Sequence, residues 1–534
     1  MDCEVMTKRI GTGVFAALAL WAASAPAQAQ TPDVIVYDIG VDGGNSNDIR
    51  YWGQVGGIAA YNIATQSCNS GDAVLNWFDS GGDTRHPVIS QNMFRYADGR
   101  FEQLGYSWLK HGFCAVNEFE TLCGPCNSTN CDTLGVGCAD TYWASLNDGR
   151  GGRSKRFVSP TLGSHVESGI TPTGNNTIRG RLQVAVADID PALNPDAEYF
   201  IEGHYVTLDD HAAGNARNNA TWRRVNVVAV NNVDGGGPSQ REEPAIYAWQ
   251  DQDPGVVINV IAHTENDGTS WLYLGHRVTQ INATTWRYEY AIQNLNSDQS
   301  VSSFTVPVQD ASTFIGNVGF HDVDAHSGDP WSTVDWVGTR GPVDLSWATE
   351  DFGTNPDANA IRWATLYNFG FDANAPPVSG TVSMGFFKAG PVMSEDIPGV
   401  LVPGDAGQGC TVNGSVASRN AGSNLNTYTA TAPTFGGTVN IVVTGSYQFG
   451  AVFAYNTPAS IPLGNGQVVL TDLTSNFMFS SFLTGLPFGT GSVNVPNDLN
   501  LCDRTAYTQA ILTNPTAGGP PFQLTNAQDL TVGN

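Results

Sequence analysis

Apolar residues recur at every second position along much of this chain, and that period suits strands and excludes long amphipathic helices. In Trp286-Arg287-Tyr288-Glu289-Tyr290-Ala291-Ile292-Gln293 the large apolar residues fall on one face and the polar ones mostly on the other, as in a half-buried strand. Leu182 to Val186 repeats the pattern. Val225 to Val230 and Val256 to Ile261 are denser in β-branched residues and read as strands covered on both faces. Glycine (60) and proline (28) punctuate these runs at short intervals. The expected fold class is all-β: a large β-sandwich or jelly-roll-like body plus a smaller C-terminal antiparallel β-sandwich domain.

The first residues set the compartment. Lys8 and Arg9 precede an apolar stretch from Ile10 to Ala25 and the small-residue sequence Ala27-Gln28-Ala29, so residues 1–29 read as a cleavable secretory signal. That stretch is shorter than the roughly 20 residues a spanning helix needs, and no later segment approaches it, so no membrane span is expected. A β-rich main body is expected over 30–390, with a Cys-rich region at 68–138 and a sub-boundary near 231–244, where Gly235-Gly236-Gly237-Pro238 stands. Pro391, Pro398 and Pro403 mark a linker over 391–409, and the sandwich domain follows over 410–534, with strands near 438–444, 451–455 and 467–470.

With a formal net charge of −26, the chain repels a phosphate backbone, which excludes nucleic acid as a partner and favours cations. Beyond Cys3, eight cysteines remain, an even number in an oxidising compartment. Cys68, Cys114, Cys123, Cys126, Cys131 and Cys138 are expected to pair among themselves, and Cys410 with Cys502. The spacing Cys123-x2-Cys126-x4-Cys131-x6-Cys138 is too tight for a zinc ribbon.

The segments Ser107-Trp108-Leu109-Lys110-His111-Gly112-Phe113, Asp322-Val323-Asp324-Ala325-His326-Ser327-Gly328-Asp329, Leu366-Tyr367-Asn368-Phe369 and Val495-Pro496-Asn497-Asp498-Leu499 resemble segments of uncharacterised large secreted bacterial β-rich proteins with a C-terminal β-sandwich domain. The resemblance spans most of the chain after the leader. It implies export and β architecture, and it transfers no catalytic residue.

The leading metal candidate is Asp322, Asp324, His326 and Asp329. If residues 318–326 are extended, the first three project from one face and Asp329 returns from the next turn. Oxygen donors favour calcium, and the histidine keeps a transition metal open. Asp188, Asp190, Asn194 and Asp196 resemble the opening of a calcium loop, although Leu193 and Tyr199 stand where an EF-hand needs glycine and glutamate. Arg150, Arg153, Lys155 and Arg156 form a basic cluster suited to a carboxylate or sulfate on a polyanionic glycan. Trp143, Trp222, Trp271 and Trp331 would support sugar binding if they lined one groove. All nine histidines precede residue 330; Glu202 with His204, Asp209, Asp210 and His211, and His165 near Glu167 are further sets that folding would have to bring together.

No Gly-x-Ser-x-Gly elbow, His-Glu-x-x-His helix, phosphate-binding loop or dinucleotide fingerprint occurs, and Asp79-Ser80-Gly81-Gly82 lacks the context of a serine-protease nucleophile. The expected function is a secreted extracellular or cell-surface binding or structural protein that takes a glycan or other surface macromolecule and holds calcium. The alternative is a metal-dependent extracellular enzyme acting on a polymer such as polysaccharide, with Asp322, Asp324 and His326 as ligands.

Overall fold

Every ladder between neighbouring strands is antiparallel in the computed structural model, which describes residues 31–40, 49–78, 82–121, 123–166, 169–282, 284–308, 313–404, 413–434, 437–445, 447–484, 488–496, 501–513 and 522–533. The expected signal over 1–29, Asp79 to Gly81, Glu167 and Cys410 lie outside these residues. The all-β fold expected from the sequence is the fold observed. Among the described residues no helix is long and apolar enough to cross a membrane.

The body is a stack of sheets. At one side lie a four-stranded sheet (Val34–Ile39, Thr65–Asn69, Cys138–Tyr142, Glu118–Phe119) and a three-stranded one (Leu182–Ala185, Ile58–Ile63, Ile49–Val55). They pack on a larger sheet ordered Asn232–Gly235, Ala220–Ala229, Glu198–Val206, Val88–Ala97, Arg100–Tyr106, with Lys110–His111 paired to the start of Val88–Ala97. Val36, Tyr61, Trp77, Met93, Ile201 and Tyr205 fill the space between. Asp98 (φ 52°) and Gly99 (φ 82°) make the two-residue hairpin turn in this sheet, the left-handed pair that Asp-Gly adopts most readily. Beyond it lie two five-stranded sheets. One is Val257–Glu265, Gly268–Asn282, Thr285–Asn294, Thr365–Ala373, Ile315–His321, and the other is Thr339–Arg340, Asp344–Ala348, Val301–Pro307, Pro377–Phe386, Ser394–Pro403. Tyr288, Tyr290, Phe304, Trp347, Phe369 and Phe371 form their shared core.

A third core joins the two halves. Phe94, Phe101 and Phe200 on the outer face of the large sheet meet Ile246 and Trp249 of a short helix, Ile246–Gln252, and Tyr273, Ala291 and Leu366 of the next sheet. Each of the larger apolar side chains buried there contributes roughly 1.5–3 kcal/mol. Glu202 of the large sheet spans the same junction, accepting from Asn92 Nδ2 (2.8 Å), the Ala245 backbone N–H (2.6 Å) and Gln293 Nε2 (2.7 Å).

Four expectations need correction. The Thr285–Asn294 strand is not half-exposed, because the face bearing Glu289, Ala291 and Gln293 is buried as well, through the second half's packing on the first. Ala220–Ala229 and Val257–Glu265 are not covered on both faces, and Val228 is 63% exposed. Ser394–Pro403, expected within the linker, is instead a strand paired with Pro377–Phe386; Pro398 sits at its bulge, where a missing N–H breaks no ladder bond.

In the C-terminal part Ser415–Arg419, Gln523–Thr531, Thr505–Thr513, Phe449–Tyr455 and Phe477–Phe482 form a five-stranded sheet facing the three strands Tyr428–Ala430, Thr438–Thr444 and Phe488–Asn494. Ile441, Val443, Val452 and Leu512 pack between them.

The six N-terminal cysteines pair as Cys68–Cys123, Cys114–Cys131 and Cys126–Cys138. Cys502 is disulfide-bonded, and the expected Cys410–Cys502 bridge has its other end outside the described residues.

Candidate metal centre

Three histidines from separate stretches of the chain meet at one end of the large sheet. Val88 and His111 are register partners, and the Gly112 N–H donates to Pro87 O at 2.8 Å, so His111 lies beside His86. Gly112 permits this: a Cβ there would come within 3.0 Å of the Pro87 ring. His165 arrives on the two-residue strand Ser164–His165, paired with Val158–Ser159, and its Nε2 lies 3.2 Å from His86 O. Ring centroids are 5.1 Å apart for His86 and His111, and 4.7 Å for each of them with His165. One nitrogen from each ring lies within 4.8 Å of the others.

The hydrogen bonds assign tautomers. A carbonyl only accepts, so His86 Nδ1, 2.6 Å from Phe78 O, carries a proton and its Nε2 keeps a lone pair. By the same reasoning His165 Nε2 donates to His86 O and Nδ1 keeps its lone pair. His111 Nδ1, 2.9 Å from His86 Nε2, faces that lone pair. Burial pushes the His111 imidazole down to about 2, helped by the neighbouring His165, His86, Arg153 and Lys110. Neutral imidazole is the form that ligates metal, and a backbone carbonyl behind each of two rings fixes which nitrogen points inward.

The Asp322, Asp324, His326 and Asp329 set does not assemble. His326 Nε2 lies 2.8 Å from Tyr106 O, which fastens the segment to the first half, and its Nδ1 lies 2.8 Å from the neighbouring Ser327 Oγ, so both nitrogens are engaged. Asp322 accepts from Asn359 and Asp329 from Ser154, and burial pushes each carboxyl up to about 6. Asp324 is exposed. Among the described residues only His86, His111 and His165 bring three ligand atoms of this kind together.

The calcium-loop reading fails for a different reason, because a guanidinium stands where the cation would. Arg95 Nη1 donates to Asn194 Oδ1 at 2.8 Å and to Asp188 O at 3.1 Å, and lies 3.4 Å from Asp188 Oδ1. Asp190 accepts from the Ala192 backbone N–H at 2.9 Å. Asp196 is exposed.

The basic cluster also divides. Arg150, half exposed, sits 3.7 Å from Asp148, Arg153 bonds Gly151 O and Gly152 O, and Lys155 is 1% exposed with Nζ donating to Ala364 O at 3.1 Å. Arg156 remains exposed. The four tryptophans share no groove: Trp143 is exposed, Trp222 is buried, Trp271 lies under Arg217 and Trp331 under Arg362. Glu202, Asp209 and Asp210 hold backbone or amide groups, Asp210 accepting from the Val34 N–H at 2.9 Å and Asn219 Nδ2 at 2.7 Å.

Sequence reasoning missed the histidine centre. Its members span 80 residues with no ligand spacing to signal it.

No family model matches the chain, and no curated protein sequence does. Among solved structures, an alignment to Escherichia coli alpha-2-macroglobulin activated by porcine elastase covers 94% of this chain and 35% of that one, at 5% identity and a TM-score of 0.11. This chain thus spans little more than a third of that protein, and a superposition so loose carries no argument about fold or function.

Proposed function

We propose that this is an exported β-sandwich binding protein whose centre holds a divalent transition metal through His86, His111 and His165. The observation that carries the reading is the convergence of three imidazoles, two of them backed by main-chain carbonyls. An all-nitrogen donor set selects zinc, copper or nickel over calcium. Three disulfides suit an oxidising compartment, which agrees with the leader read at residues 1–29 and with an extracellular glycan or surface macromolecule as partner.

Three protein ligands leave a position for water or substrate, the arrangement of catalytic rather than closed structural zinc sites. That count favours, as a second reading, a metal-dependent extracellular enzyme acting on a polymer such as polysaccharide.

Elemental analysis of purified protein, after exposure to zinc, copper and nickel and removal of excess, tests the centre. Near one equivalent is expected, lost in His111→Ala and retained in His326→Ala. Absence of bound transition metal, or full retention in His111→Ala, overturns the proposal.

A further inference from the structure

Lys155 and Arg156, two members of the sequence's basic cluster, find new company in the fold. Together with Arg362 and Lys388 they line a cavity of about 260 Å³ where the first half of the body meets the second. Asp298 and Asp357 are its acidic members, so bases outnumber acids four to two. Over the chain the ratio runs the other way, 24 Lys and Arg against 50 Asp and Glu. The long-range field of such a protein repels anions, and an anion is held only where a local excess of cations overcomes it.

Lys388 pairs with Asp298 at 2.7 Å, but among the described residues no ion pair engages Lys155, Arg156 or Arg362. Lys155 and Arg362 are 1% and 8% exposed. The Arg362 guanidinium donates through Nη2 to Pro356 O and Ala358 O, and its Nε has no hydrogen-bond partner. A buried donor without an acceptor costs about 1–3 kcal/mol, which an arriving acceptor offsets. Aromatic groups complete the lining: Trp331 beneath Arg362 (5.2 Å to the ring centroid), Trp363 beside Lys155 (5.5 Å) and Phe352, 42% exposed. The volume is below that of sites for drug-sized molecules and suits a ligand of about one ring.

We propose that this cavity binds one acidic ring of an anionic saccharide, its carboxylate or sulfate taken by Arg156, Lys155 and Arg362 and its apolar face laid against Trp331. Arg supplies paired N–H donors in the plane that a carboxylate or sulfate accepts. The aromatic face supplies contact that a small inorganic anion does not use. The site does not depend on the histidine centre for its chemistry, although Val158, the register partner of His165, lines it too.

Calorimetric titration of the purified protein with four probes decides the matter: methyl glucuronoside, glucose 6-sulfate, methyl glucoside and N-acetylglutamate. Binding of the glucuronoside or the sulfate is expected at least tenfold tighter than of the neutral glucoside and of the non-sugar anion, and the tighter of the two names the anionic group. Arg156→Gln, at an exposed position, is expected to weaken it tenfold or more without lowering the melting temperature, and Lys388→Gln provides an independent second variant. No binding of either acidic sugar, equal binding of the glucoside or N-acetylglutamate, or unchanged affinity in both variants overturns the proposal.

Discussion

His86 Nε2 and His111 Nδ1 lie 2.9 Å apart across the junction of two paired strands. Two imidazoles at that distance share one proton between two lone pairs, and His165 closes the triangle. In the proposed function a divalent cation would take the place of that proton with a larger charge.

Binding to the folded state alone raises stability, by about 2.7 kcal/mol when free metal is 100 times its dissociation constant. Zinc is therefore expected to raise the melting temperature, a chelator to lower it, and His86→Ala to abolish both responses. Burial holds His111 neutral far below the ordinary 6.5 of histidine, so the zinc-induced shift is expected to persist at pH 5.5, where a solvent-exposed triad is mostly protonated. Differential scanning calorimetry with and without zinc at pH 7.5 and 5.5 checks this.

Arg95 also binds Glu102 at 2.9 Å, with both side chains largely buried, so it holds two structures at once. Arg95→Met removes one of the two guanidiniums on that buried carboxylate, Arg100 remaining at 3.0 Å, and is expected to cost about 1.5–3 kcal/mol in urea unfolding. Since the guanidinium already fills the Asp188 and Asn194 set, Asp188→Asn is expected to leave any calcium response of the wild-type melting curve unchanged.

Glu202 is held by three donors from three elements. Glu202→Leu orphans all three at the junction of the two halves and is expected to lose more than 3 kcal/mol, at about 1–3 kcal/mol per buried unsatisfied group. Glu202→Gln keeps acceptor capacity and is expected to lose less; chemical denaturation of both variants gives the comparison.

Asp140 is 1% exposed, and burial pushes its carboxyl up to about 7 against the backbone N–H of Val116 that it accepts at 2.7 Å. A folded value above the unfolded 3.8 means that the folded state holds the proton longer, so this group's stabilisation is complete below pH 3.8 and is lost as pH rises through 7. Asp140→Asn lacks that dependence. The melting temperature of Asp140→Asn relative to wild type is expected to be highest above pH 7 and to fall steadily toward pH 4.

Much of the fold was legible. The Trp286 to Gln293 alternation marks its strand, and Asp98-Gly99 occupies a tight hairpin turn of the kind its residue types favour. The polar half of that alternation misled, because Glu289 and Gln293 face another protein layer instead of water. Ser394–Pro403 was hidden by its prolines, one at a bulge and one at the strand end. The Asp322 to Asp329 run carries ligand-like residue types, yet its histidine spends both nitrogens on neighbours.

By itself the sequence determined what depends on short range and on totals: which runs extend, where they turn, and the surplus of acid. Only the tertiary structure decided which of 15 pairings joins the six cysteines, and which three of nine histidines meet. Strand alternation is a property of neighbours in the chain, whereas a ligand cluster is a property of neighbours in space. In an antiparallel stack those are set by register and layer order, which no local pattern around His86, His111 or His165 records.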